Sequence, residues 1–152
     1  MRIPEQEPGE EESGQLMILL IGYVLLALLL ATVVAAASSI YIEHKKLLSA
    51  ADGAAVAAAD SFTLSGVVGG DGPPAAQLSQ ARINGAVAAY LQLNNSYERF
   101  AALSVDPATG SPDGHTAVVT LTAVVRPVFI NFLVPDGIPI TATGTARSQL
   151  TR

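Results

Sequence analysis

From Leu16 to Ile42 the chain carries no charged residue, LMILLIGYVLLALLLATVVAAASSIYI. About 20 predominantly apolar residues cross the hydrocarbon core of a bilayer, so this run predicts one transmembrane helix over residues 15–42. A short charged knot follows, Glu43-His44-Lys45-Lys46, and beyond it apolar and small positions recur at steps of three and four: Leu47 and Leu48, Ala51, Ala54 and Ala55, Ala58, Phe62. That period draws a stripe along one helix face. No proline interrupts it, and the single Gly53 costs only about 1 kcal/mol relative to Ala. The helix is therefore predicted to run on from the span to Phe62, roughly 70 Å at about 1.5 Å per residue. Small residues let another backbone approach closely, so the stripe reads as a docking face. Leu47, Ala51, Asp52, Ala54, Ala55, Ala58 and Phe62 are its candidate partner contacts; for Asp52 the alternative is a solvated helix face.

The glycines and the Pro73-Pro74 pair of SGVVGGDGPPA break the helix, since proline is tolerated only at or before a helix start. A second helix is predicted from about Ala75 to Leu93, with Ile83, Ala86, Val87, Tyr90 and Leu91 on one face and Asn94-Asn95 closing it. The two helices are expected to pack as a hairpin. From Phe100 onward the period falls to two, in FAALSV, TAVVTLTAVV and IPITATGTA, which read as strands. DPATGSPDG is dense in turn formers, and VFINFLVPDG reads as a short helix or loop. In the last strand Thr141, Thr143 and Thr145 share one face, and Ile140, Ala142, Gly144 and Ala146 the other. The fold class is α+β: a long N-terminal transmembrane helix continuing into a small domain with a second helix and a three-stranded antiparallel sheet, one face on the helices.

Composition agrees with a membrane protein: half of the 152 residues are hydrophobic and 14% are charged. The net charge of -5 and the scattered arginines leave no basic stripe for nucleic acid. Without cysteine there is no disulfide framework, thiol nucleophile or cysteine zinc site. Residues 1–14 read as an acidic tail, 15–42 as the span and 43–152 as the domain beyond it. Tyr41, His44, Lys45 and Lys46 are the membrane-interface candidates, because aromatic and basic side chains anchor span ends; Tyr23 would lie deeper. Ala35 and Ala37 before Ser38 also resemble a signal-peptidase site, which opens a second reading, a secreted or anchored ligand-binding domain with a cleaved leader. The acidic leading flank and the length of the apolar run argue against that. Lys45 and Lys46 against Arg2 would place the C-terminal side in the cytoplasm, a bias of one residue.

No chemistry-bearing constellation emerges. His44 belongs to the charged knot, and His115 with Asp106 and Asp113 fits neither an EF-hand nor a zinc spacing, so the stretch reads as a turn. There is no G-x-S-x-G elbow and no phosphate-binding fingerprint in a βαβ setting. The chain reads as a non-enzyme without cofactor or metal.

A short stretch ending in Gly14-Gln15 directly before the span, followed after it by LLSAADGAAVAAADSF, resembles the TadE/TadG-like proteins of Flp (Tad) pilus assembly. Ala50, Ala51, Asp52, Ala54, Ala55, Ala57, Ala58 and Ala59 match the family's alanine-rich element, and ITATGTARS is similar to its usual ending. The resemblance implies a bacterial single-pass membrane protein with a cytoplasmic N-terminus and the C-terminal domain extracytoplasmic, at the cell surface. It implies contact with other pilus-assembly or secretion proteins as well as membrane lipid, and leaves homo-oligomerisation open. This orientation opposes the one-residue charge bias. Processed pseudopilin-like members carry a glutamate five residues after the cleavage glycine, where this chain has Leu19, so the resemblance is to the unprocessed, TadG-related type.

Overall fold

The computed structural model describes residues 10–65, 75–127 and 134–148. The expected short helix or loop over VFINFLVPDG falls mostly outside them, as does most of SGVVGGDGPPA. The chain divides between Ser38 and Ser39 into two units. Helix α1, Glu10–Ala59, runs through the division without interruption.

Within the first unit every residue from Gly14 to Ala35 is exposed, including the whole leucine-rich stretch. Its polar side chains turn back on the helix: Thr32 Oγ1 donates to the Leu28 carbonyl at 2.8 Å and Ser38 Oγ to the Val34 carbonyl at 2.8 Å. Such bonds to the preceding turn satisfy the hydroxyls without water, as an apolar surrounding requires.

The second unit is α+β. After α1 come two short paired strands, β1 (Thr63–Ser65) and β2 (Ala75–Gln77), then α2 (Gln80–Leu93), a single turn α3 (Ser96–Arg99), and strands β3 (Ala101–Val105), β4 (Thr116–Val125) and β5 (Ile138–Arg147). The last three form an antiparallel sheet in the order β3-β4-β5. Its inner face, with Ala117, Val119, Leu121, Ala123 and Val125 of β4 and Ile140, Ala142 and Gly144 of β5, is buried. The opposite face of β5 shows Thr141, Thr143 and Thr145 to solvent, the expected alternation. The core joins that inner face to Leu47, Ala51, Ala54, Ala55 and Ala58 of α1 and to Ile83, Val87 and Leu91 of α2.

The second helix begins later than its sequence suggests. Ala75–Gln77 is a strand rather than the first helical turn, because it pairs with Thr63–Ser65 and so satisfies its backbone. Helix α2 starts at Gln80 after Ser79, which is extended at φ -110, ψ 145, the conformation of an N-cap. Its end is as expected: Asn95 is left-handed at φ 52 and its N–H reaches the Gln92 carbonyl at 3.1 Å. In Val134-Pro135-Asp136-Gly137 the Gly137 N–H closes a turn onto the Val134 carbonyl at 3.1 Å, with Gly137 at φ 76 opening β5.

Candidate membrane and partner surfaces

The charged knot after the apolar run is locally paired. Lys46 Nζ lies 2.7 Å from Glu43 Oε1, one helical turn apart, and Lys45 sits over the Tyr41 ring at 5.6 Å from its centroid. His44 Nε2 lies 3.1 Å from the Thr141 carbonyl oxygen of β5; a carbonyl only accepts, so Nε2 carries the proton. Tyr41 and Lys45 are exposed, and His44 is half-buried and ties α1 to the edge strand.

The alanine ridge is a docking surface for the chain's own domain. Leu47, Ala51, Ala54, Ala55 and Ala58 are fully buried against the sheet and α2. The closest approach is at Gly144 of β5, where a Cβ would collide with the backbone of Ala51 and Asp52. Only a helix face of small residues and a strand position without a side chain allow this. Gly53 serves the same packing, since a Cβ there would fall on the Tyr90 hydroxyl. Of the remaining candidates, Phe62 is half-buried and Asp52 is exposed, next along α1 to Val56, 53% exposed.

Sequence reading missed the features around α3. Arg99 lines two clefts. One, of about 160 Å³, lies between α1 and the α2–α3 corner, lined among others by Lys46, Ser49, Tyr90 and Asn94. The other, of about 330 Å³, is lined among others by Ser39, Glu43, Phe100, Val125 and Arg126. Leu93, 83% exposed, and Tyr97, 51% exposed, stand on the same corner. An isolated Arg in "SYERF" gives no period or motif, so only the register that brings Val124 opposite Pro139 and Ala101 reveals what it faces.

At the other end of the sheet the turn-rich stretch behaves as a turn. Asp113 Oδ1 accepts the N–H groups of His115 at 2.9 Å and Thr116 at 2.6 Å, and Oδ2 accepts the Thr116 hydroxyl at 2.7 Å. These donors, the His115 N–H first, hold the carboxyl well below the usual carboxylate range. Asp106 Oδ1 likewise accepts the Ala108 N–H at 2.8 Å. Among the described residues no three His, Cys, Asp or Glu side chains stand close enough together to hold a metal.

Among the described residues one helix is long and apolar enough to cross a membrane, and it covers Gly14–Ala59. The family model described as "Putative Flp pilus-assembly TadE/G-like" matches residues 14–61, the same stretch of chain. This segment is TadE/G-like. The TadE/G-like segment therefore contains the apolar run, the charged knot and the alanine ridge, and ends two residues beyond α1. The description of that family names Flp pilus assembly. No curated protein and no solved structure matches the chain.

Proposed function

We propose that the chain is a single-pass membrane accessory protein of a Flp/Tad-type pilus assembly or secretion apparatus, of the unprocessed TadG-related type, acting through protein–protein contacts. The observation that carries this reading is the coincidence of the TadE/G-like segment with one uninterrupted helix, exposed and apolar over Gly14–Ala35 and core-forming from Leu47 to Ala59. The apolar part anchors the chain and the alanine part builds its domain around the same helix. Leu19 in place of a glutamate supports retention of the N-terminal segment.

The acidic tail lies in the cytoplasm and the domain outside. Since five of the seven candidate ridge residues are used inside the domain, partner proteins meet the exposed side of α1 at Asp52 and Val56, together with half-buried Phe62. The absence of cysteine allows a direct test. A cysteine placed at Thr143 should react with a membrane-impermeant maleimide in intact spheroplasts. Reaction only after lysis would put the domain inside and end the reading. A photo-crosslinker at Val56 should then capture pilus-assembly components, whereas one at buried Val87 should not.

A further inference from the structure

Four basic side chains, Lys45, Lys46, Arg99 and Arg126, gather at the end of the second unit where α1 enters it. The register fixes this. Strand β5 runs alongside α1 in the same direction, with Thr141 at His44 and Gly144 at Ala51, so Ile138 lies at the entry end. Val125 pairs with Ile138 and Ala101 with Val124, which brings Arg126 and Arg99 to that end too. Both arginines line the cleft of about 330 Å³ with Ser39, Glu43 and Phe100. Glu43 is engaged by Lys46 at 2.7 Å, whereas neither guanidinium has a carboxylate within salt-bridge reach among the described residues. The same end also carries Glu98 and Asp136, and the far end, where Thr116 pairs with Arg147, carries Asp113. Glu43 follows directly on the apolar run and Ser39 lies in its last turn, so the residues of α1 that line this cleft stand where the charged knot begins. Exposed Leu93, Tyr97 and Tyr41 at the same end supply amphipathic contacts of the kind found at the bilayer boundary.

We propose that this cleft is a headgroup site for an anionic phospholipid, with the phosphodiester held by the Arg99 and Arg126 guanidinium groups and Leu93 and Tyr97 resting against the acyl boundary. Guanidinium forks match phosphate oxygens and are more weakly hydrated than ammonium groups, which suits a half-enclosed cleft. The inference rests on the span being in the bilayer, but holds for either orientation.

The test uses the full chain in nanodiscs containing equal phosphatidylglycerol and phosphatidylcholine, with retained lipid counted by native mass spectrometry. The wild type should retain phosphatidylglycerol preferentially, of the order of thirtyfold for two arginines near the surface. R99Q/R126Q should lose the preference, R99K/R126K should keep part of it, and R82Q/R147Q should keep it whole. Thermal melts of each variant by circular dichroism separate loss of binding from loss of fold. Equal retention of both lipids by the wild type, or an undiminished preference in a folded R99Q/R126Q protein, overturns the proposal. So does saturation of the arginine side-chain NMR shifts by millimolar inorganic phosphate in pure phosphatidylcholine discs, which would mark a free-phosphate site. Failure of the chain to stay in carbonate-washed membranes would instead strike the anchoring reading itself.

Discussion

Thr109 shows how one hydroxyl holds the end of a sheet. Strand β3 stops at Val105, five residues long beside a ten-residue β4, and the chain then runs along the β4 edge as a loop. There Thr109 Oγ1 accepts the Thr120 N–H at 3.0 Å and donates to the Thr120 carbonyl at 3.2 Å, standing in for a missing strand residue. Beyond it the Gly110 N–H reaches the Val118 carbonyl at 2.9 Å and ordinary pairing resumes for one bridge. Thr109 is only 4% exposed, so water cannot replace the hydroxyl. T109V keeps the volume and leaves the Thr120 N–H unpaired, which should lower stability by about 1–3 kcal/mol, whereas T109S should lose much less. Guanidinium denaturation of the detergent-solubilised protein decides it: equal midpoints for T109V and wild type would show that the bond contributes nothing. Ala102, left-handed at φ 51, marks the irregularity in β3 between Ala101 and Ser104.

At the scale of elements, the fit of α1 on β5 decides whether the domain forms. The Ala51 backbone and Gly144 touch with no room for a methyl group, so G144A must push helix and strand apart. Overpacking of that kind costs about 1–3 kcal/mol, and G144V should cost more. G53A meets only the mobile end of Tyr90 and gains helix propensity, so it should be the milder change; a larger melting shift for G53A than for G144A would reverse the assignment. The start of β4 depends instead on Asp113. Its depressed pKa means the carboxylate stabilises the turn above the ordinary carboxylate range and loses that contribution as pH falls through the folded value. D113N should therefore melt below wild type at about pH 7, with the gap closing towards about pH 2; a gap independent of pH would rule out the carboxylate as its cause. Much of this was legible in the sequence. The period of two gives β3, β4 and β5 nearly to their ends; the uncharged run together with the period of 3.6 beyond it gives α1, which ends at Ala59 rather than at the expected Phe62, and the same period gives the apolar face of α2. The strand at Ala75–Gln77 was not, because three residues show no period and their pairing with Thr63–Ser65 is a contact across a loop. The destination of the alanine ridge was half legible: small residues announce a close approach, but only the tertiary fold shows that β5 and α2 of the same chain fill it.

For the whole molecule, the distribution of charge pulls against the proposed orientation. Lys45 and Lys46 follow the span and only Arg2 precedes it, so the positive-inside tendency favours a cytoplasmic domain by one residue. Acidic residues count little in that tendency, and large C-terminal domains translocate largely regardless of it. If the domain lies outside, the two lysines act against insertion and their value is realised only in the folded protein, in the Glu43 pair and the Tyr41 contact. K45Q/K46Q should then leave the outward fraction unchanged or raise it, read by maleimide labelling of a cysteine at Thr143. It should weaken the domain only slightly, since exposed pairs of this kind contribute about 0–1 kcal/mol. Were the domain inside, the same substitution would remove the residues holding it there, and labelling from outside would rise from a baseline near zero. The wild-type baseline and the direction of change together distinguish the two topologies.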